Sequence, residues 1–214
     1  MPNFKSMFLK IRSQQRPGRF ILSRLIRFSG LYRFFRIPRG EYSLYFHPSS
    51  LSQRMWAHPT LGRPEIKLVE ALLEAGETFV DVGANIGDYT VAGARAVGPH
   101  GAVYAFEPHP RIATFLRSNL RLNRIDHAGI GQLAVSDERG WIGFSDYRGD
   151  NVNRIDYGAS PLWVPQIRLE DFLPDTRIAL LKIDVEGAET KVLNGAKTAL
   201  ARTRIVIFEV KDTT

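Results

Sequence analysis

The stretch that decides the fold is Phe79-Val-Asp-Val-Gly-Ala-Asn-Ile-Gly87. A short apolar run ends in a carboxylate, breaks into a glycine turn, and is followed by the alanine-rich segment to Val97 that stops at Gly98-Pro99. That succession predicts a buried strand over 78–82, a tight turn, and a helix whose N-terminus faces the turn. A dinucleotide-binding loop would read G-x-G-x-x-G, so that pyrophosphate can rest on the helix N-terminus. Here the spacing is Asp-x-Gly-x-Asn-x-Gly. A carboxylate at position 81 repels pyrophosphate but attracts an α-ammonium group. S-adenosylmethionine carries that ammonium and no phosphate, so the loop favours a methyl donor over NAD. Gly83 and Gly87 are expected to let the backbone approach the ligand, with Asn85 accepting a positive φ. A purely structural strand–helix connection remains the alternative.

Outward from the turn, strand and helix patterns alternate. Ile66, Val69, Leu72 and Leu73 mark one helical face behind Pro64 and end at Gly76. Strands are predicted at Ala102–Phe106, near Ile130–Val135, at Ala179–Val185 and at Arg204–Val210. An extra antiparallel strand is read at 141–147. Helices are expected around Ile112–Leu120 and Val192–Leu200. Right-handed crossovers would assemble these into an α/β, Rossmann-like, mostly parallel sheet with helices on both faces.

Two further acidic positions fall where such a sheet binds ligands. Glu107 closes Tyr104-Ala-Phe-Glu-Pro108, twenty-six residues after Asp81, where an acidic side chain grips ribose hydroxyls. A solvated strand-end glutamate is the bland reading. Leu180-Leu-Lys-Ile-Asp-Val-Glu-Gly-Ala-Glu189 puts Asp184 at the tip of a buried strand, with Lys182 two residues earlier on the same face. Asp184 is the candidate that orients or deprotonates an acceptor, Lys182 would tune it, and Glu186 is the third catalytic candidate; Glu189 and Glu209 are secondary. A structural ion pair is the alternative for Lys182 and Asp184. No metal is assigned, although Asp184 and Glu209 end adjacent strands and Mg²⁺ assistance is conceivable there.

The 214 residues carry no cysteine, which excludes disulfides and thiolate chemistry, and five histidines without zinc-site spacing. The net charge of +7 is unevenly distributed: residues 1–40 hold ten Lys/Arg and no Asp/Glu, and the remainder sums to −3. The expected organisation is therefore a basic amphipathic extension over 1–40 and a catalytic domain over 41–214, in which Tyr42–Phe46 forms a strand or hairpin. Arginines break up the N-terminal apolar residues, so neither a signal sequence nor a membrane span is read and a cytoplasmic chain is expected. Residues 20–37 mix large apolar side chains with four arginines. They suit a helix packed on the catalytic domain, or peripheral contact with an anionic membrane. Gly30 weakens a single helix there. Nucleic acid is disfavoured as a partner because the core is slightly acidic.

The segments FVDVGANIGDYT (79–90), VYAFEPHP (103–110), LAVSDERG (133–140), RLEDFL (168–173), LLKIDVEGAETKVLNGA (180–196) and RIVIFEV (204–210) together resemble the FkbM-type S-adenosylmethionine-dependent methyltransferases. The resemblance spans residues 65–210. It implies the class I methyltransferase fold and O-methylation of a hydroxyl on a glycan, a lipid-linked sugar or another small-molecule natural product. It also implies that Asp81, Gly83, Ala84, Asn85 and Gly87 line the methionine half of the cofactor, with Asp184 beside it. Glu107 would hold the ribose, and Phe106, Pro108, Leu133 and Ala134 would lie near adenine. The adenine amino group would be met by Gln132, Ser136 or a backbone carbonyl. Class I enzymes continue past the fifth strand into an antiparallel hairpin; only four residues follow Val210 here, so the hairpin is expected to be missing and the domain to be C-terminally short, through truncation or with the edge shielded otherwise. Residues 205–208 are therefore expected to form an apolar edge, covered by the extension or by a second subunit in a homodimer. A non-catalytic methyltransferase-like module and an NAD(P)-binding oxidoreductase are the rival readings.

Overall fold

The computed structural model describes residues 17–144 and 162–209. They form two compact units, one reaching to Arg63 and one from Pro64 onward. The strand Ser43–Tyr45 and the helix Ser50–Ala57, both after residue 40, group with the extension rather than with the larger unit.

In the first unit, helix α1 (Pro17–Phe28) ends before Gly30, whose φ of 71° turns the chain into a 3-10 segment, Leu31–Phe34. The weakness read at Gly30 is where the helix stops. Strands β1 (Arg36–Pro38) and β2 (Ser43–Tyr45) pair antiparallel; β2 falls in the 42–46 run read as a strand or hairpin, and its partner β1 lies before it, in the segment read as the extension. Helix α2 (Ser50–Ala57), which no apolar periodicity announces, starts on the Ser49 hydroxyl, which accepts from the Ser52 amide at 3.0 Å.

The second unit begins with helix α3 (Arg63–Leu72) and continues through β3 (Thr78–Val82), α4 (Asp88–Val97), β4 (Ala102–Phe106), α5 (Pro110–Leu122) and β5 (Ala128–Gly131). After the small strands β6 (Ala134–Val135), β7 (Gly140–Phe144) and β8 (Leu162–Ile167) come β9 (Ile178–Ile183), α6 (Glu189–Asn194), α7 (Lys197–Ala201) and β10 (Thr203–Phe208). Five strands form a parallel sheet in the order β10-β9-β3-β4-β5. All five β3 residues are buried, as a central strand covered on both faces requires. Side chains alternate between two cores. Val80, Val82, Leu181 and Ile183 pack with Val192, Ala196 and Ala199, while Phe79, Leu180 and Val103 pack with Val69, Leu73, Ala94 and Val97. The chain runs outward from β3 to β4 and β5, then returns to β9 and β10 on the other side. The order therefore reverses between β3 and β9, and the crevice beyond their C-terminal ends is where such sheets take ligands.

Three elements differ from the sequence expectation. The strand expected near 130–135 is two strands in different sheets: β5 closes the main sheet, whereas β6 joins β7 and β8 in a three-stranded sheet. The antiparallel strand expected from 141 is β7, and its partner β8 is a strand that the sequence reading does not include. Proline is tolerated there because β6 reaches only to Gln166 and Ile167, leaving Pro165 without a neighbour on that side. The helix expected over 192–200 breaks at Gly195 into α6 and α7. A β-carbon at Gly195 would stand 1.9 Å from the Ser136 carbonyl oxygen, so helix and loop meet backbone to backbone.

Strand β10 is an edge, with β9 on one side and no strand on the other among the described residues. Ile205, Val206 and Ile207 are half-buried and Phe208 is exposed. Arg204 anchors the strand start through Glu77 and the Leu72 carbonyl.

Candidate functional site

The turn after β3 folds back because Gly83 and Ala84 both donate their amides to the Phe106 carbonyl, at 3.0 and 2.9 Å. Gly83, Asn85 and Gly87 have φ of 80°, 50° and 91°, so Asn85 does carry the positive φ expected of it. The need for glycine is set by the protein itself. A β-carbon at Gly83 would lie 1.8 Å from the Asp184 carbonyl oxygen, and one at Gly87 would lie 2.4 Å from Leu116 Cδ1. Ala84 is buried. Gly87 then caps α4 in a left-handed conformation, without a side-chain hydrogen bond.

Asp81 is fully enclosed. Its Oδ2 accepts from the Thr90 hydroxyl at 2.6 Å, and its Oδ1 lies 3.1 Å from Lys182 Nζ, out of line for a hydrogen bond. Lys182, itself buried, donates to the Gly83 carbonyl at 3.0 Å, stands 3.6 Å from Asp184 Oδ2 and sits 4.9 Å over the Tyr89 ring. Burial opposes its charge, but Asp81 and Asp184 outweigh that and hold the ammonium above its ordinary pKa. Burial pushes the Tyr89 phenol up to about 12, against the pull of Lys182. The shared face expected of Lys182 and Asp184 is thus present, and Lys182 grips Asp81 more closely. Of the two carboxylates on Lys182, only Asp184 is open, with 40% of its side chain exposed at the tip of β9.

Glu107, at the tip of β4, is buried. Its two oxygens accept from the amides of Asn85 and His109, each at 2.9 Å. Desolvation nevertheless raises its pKa to about 7, the two amides opposing the shift. His109 packs edge-on to Phe144 at 6.4 Å and accepts from the Arg111 amide, which fixes the start of α5.

The remaining candidates separate. Glu186 occupies the loop after Asp184 with φ 54°, and Glu189 closes that loop by accepting from the Gly187 amide at 3.0 Å. Pro108 is half-buried, and Ala134 is buried in the three-stranded sheet against Ile142, Phe144 and Val164. Phe106 meets Phe172 edge-on at 5.0 Å. Gln132 already accepts from Arg117 at 3.1 Å, and Ser136 is enclosed beneath Gly195. Among the described residues, no group of three or more His, Asp and Glu side chains is disposed to hold a metal ion. Among residues of connecting segments that could line an acceptor pocket, Trp56 packs with Phe35 and Phe46 in the first unit, and Trp163 is exposed on β8. Tyr147, Arg148, Arg154 and Tyr157 lie outside the described residues. Thr90 and Tyr89 were inside the FVDVGANIGDYT block but carried no signal of their own, since a hydroxyl in the first turn of a helix reads as ordinary.

Comparison with known proteins fits this geometry. The Methyltransferase FkbM domain model matches residues 81–214. The chain belongs to the FkbM methyltransferase family. The chain is 33% identical over 179 residues to the 31-O-demethyl-FK506 methyltransferase FkbM of Streptomyces tacrolimicus, covering 65% of this chain and 67% of that one. It is 28% identical over 171 residues to the 2-O-methyltransferase NoeI of Sinorhizobium fredii, covering 68% of each. Among solved structures it aligns with the O-methyltransferase TomG of Streptomyces achromogenes at 16% identity and a TM-score of 0.42, over 68% of this chain and 55% of that one.

Members of this methyltransferase family use S-adenosylmethionine, and the crevice suits it. Glu107 offers a buried carboxylate that accepts from two amides and keeps lone pairs for a pair of hydroxyl donors. The acidic surplus of Asp81 and Asp184 over Lys182 favours an ammonium-bearing ligand over a phosphate.

Proposed function

We propose that this FkbM methyltransferase O-methylates a hydroxyl of a glycan, a lipid-linked sugar or another small-molecule natural product. The observation that carries this reading is Asp184: a half-exposed carboxylate at a strand tip, steadied by a buried ammonium and facing solvent at the switch point. An alcohol must lose a proton as it takes up a methyl group, and a carboxylate in that position can accept it. The cofactor supplies an electrophilic methyl group on a sulfonium. Glu107 binds the ribose hydroxyls, the Gly83–Gly87 turn flanks the methionine portion, and Pro108 and Ala134 border adenine. Asp81 acts through Lys182, holding the ammonium that orients Asp184. Glu186 follows Asp184 in the same loop and is the secondary acceptor of the proton. The two relatives, both O-methyltransferases by name, support the choice of oxygen.

The test is a calorimetric titration with S-adenosylhomocysteine, followed by a labelled-methyl screen over hydroxylated sugars, lipid-linked glycans and polyketide alcohols. Saturable binding with label in an ether is expected. Label in an amine or thioether product would overturn the oxygen assignment.

Glu107 makes that affinity pH-dependent. Hydroxyl donors prefer the carboxylate, and the free protein loses the Glu107 proton at about pH 7. The dissociation constant for S-adenosylhomocysteine is expected to rise about tenfold from pH 8 to pH 6. Linkage has the opposite sign in the unliganded protein. A carboxyl group with a raised folded-state pKa favours folding at low pH, and that contribution is lost as pH climbs from 4.5 to about 7. Glu107→Gln should bind weakly and without this pH slope; equal wild-type affinities at the two pH values would remove the ribose role.

A further inference from the structure

Helix α1 shows apolar side chains on the outside as well as the inside. Ser23 and Ile26 are buried, and Arg27 reaches Gln53 at 3.3 Å, which defines the inner face. Ile21, Leu25 and Phe28 recur at helical spacing on the opposite side, with Leu22 beside them, and Leu31 and Phe34 extend the row beyond Gly30. All six are between 43% and 75% exposed. Soluble monomers seldom present so contiguous an apolar row, and one rimmed by polar residues marks an interaction surface.

The rim identifies the partner. Arg24, Arg33 and Arg36 are exposed along it, and no Asp or Glu occurs in the first forty residues. Arg24 lies over Phe20 and Arg33 over Phe34, an arrangement in which the stem covers apolar surface while the guanidinium stays wet. We infer that this row docks on the surface of an anionic phospholipid bilayer, with the aliphatic and phenyl groups among the upper acyl chains and the arginines at the phosphates. A second copy of the chain is the weaker occupant, because a twofold contact would bring like-charged rims together. RNA is weaker still: the centre of the row is mainly aliphatic, and nucleic acid offers it no apolar phase. The helix lies on the bilayer rather than through it. Twelve residues span about 18 Å against about 30 Å of hydrocarbon, and no described helix is long and apolar enough to cross.

The full chain is sedimented with phosphatidylcholine vesicles, with and without phosphatidylglycerol, at low and high salt. Binding is expected only to the anionic vesicles, and it should weaken as salt screens the arginines. Leu25→Ser/Phe28→Ser should reduce partitioning by at least about tenfold, as should Arg24→Glu/Arg33→Glu, while the thermal melt and S-adenosylhomocysteine affinity stay as in wild type. Four results would overturn the inference: no binding to either vesicle, binding indifferent to phosphatidylglycerol, binding retained by both double variants, or a wild-type dimer that the apolar variant converts to monomer.

Discussion

Lys182→Met is expected to lower the free energy of unfolding by about 3–5 kcal/mol, measured by urea titration at neutral pH. The size follows from what the ammonium leaves behind. Asp81 has no solvent exposure, and with Lys182 gone its carboxylate keeps only the Thr90 hydroxyl. An uncompensated buried charge costs far more than the net value of the pair. The Gly83 carbonyl would lose its donor as well, loosening the turn that the β9 backbone presses against. Asp81→Asn/Lys182→Met should therefore be more stable than Lys182→Met alone, since it removes the charge together with its partner. A loss under about 1 kcal/mol, or a double variant as unstable as the sum of the singles, would mean that the two groups are not coupled. The pH dependence has a fixed sign. A lysine whose folded-state pKa is raised contributes stability below its ordinary value of 10.5 and loses it as pH rises through the folded value, so acidification to pH 6 should leave this contribution intact.

That prediction also marks where the sequence was legible. The strand–turn–helix at 78–97 could be read to the residue, because apolar run, glycine turn and alanine-rich helix all point to one local answer. The tips at Glu107 and Asp184 followed from strand ends that the pattern located. The partnership of Asp81 and Lys182 did not follow. The two lie about a hundred residues apart and meet only because β3 and β9 pair in register, Asp81 opposite Lys182. Single-sequence patterning shows which face a side chain takes along its own strand, not which strand lies next to it. The carboxylate that looked open to a ligand is consequently closed by a lysine. Strand β8 failed for a different reason: Pro165 reads as a breaker wherever the neighbouring strand is unknown. Gly195 was equally opaque, since its closeness to Ser136 is a contact between distant loops.

Asp184→Asn should reduce kcat by about 10²–10⁴-fold while leaving S-adenosylhomocysteine affinity within a few-fold of wild type. The amide keeps the shape and most of the hydrogen bonding of the carboxylate but cannot take up a proton. Because 40% of the side chain is in solvent, its replacement strands no buried charge, and stability should change by less than about 1 kcal/mol. The contrast with Lys182→Met is diagnostic. Lys182 sits beneath and organises, so its loss shows in unfolding; Asp184 sits at the mouth, so its loss shows in turnover. Turnover within threefold of wild type would remove Asp184 as proton acceptor and pass that role to Glu186, two residues along the same loop. A parallel fall in affinity and kcat would instead assign Asp184 to the ammonium of the cofactor. Turnover unchanged by EDTA would show that the carboxylate needs no divalent ion bridging it to Glu209, whose amide donates to the neighbouring Ile183 carbonyl at 3.4 Å.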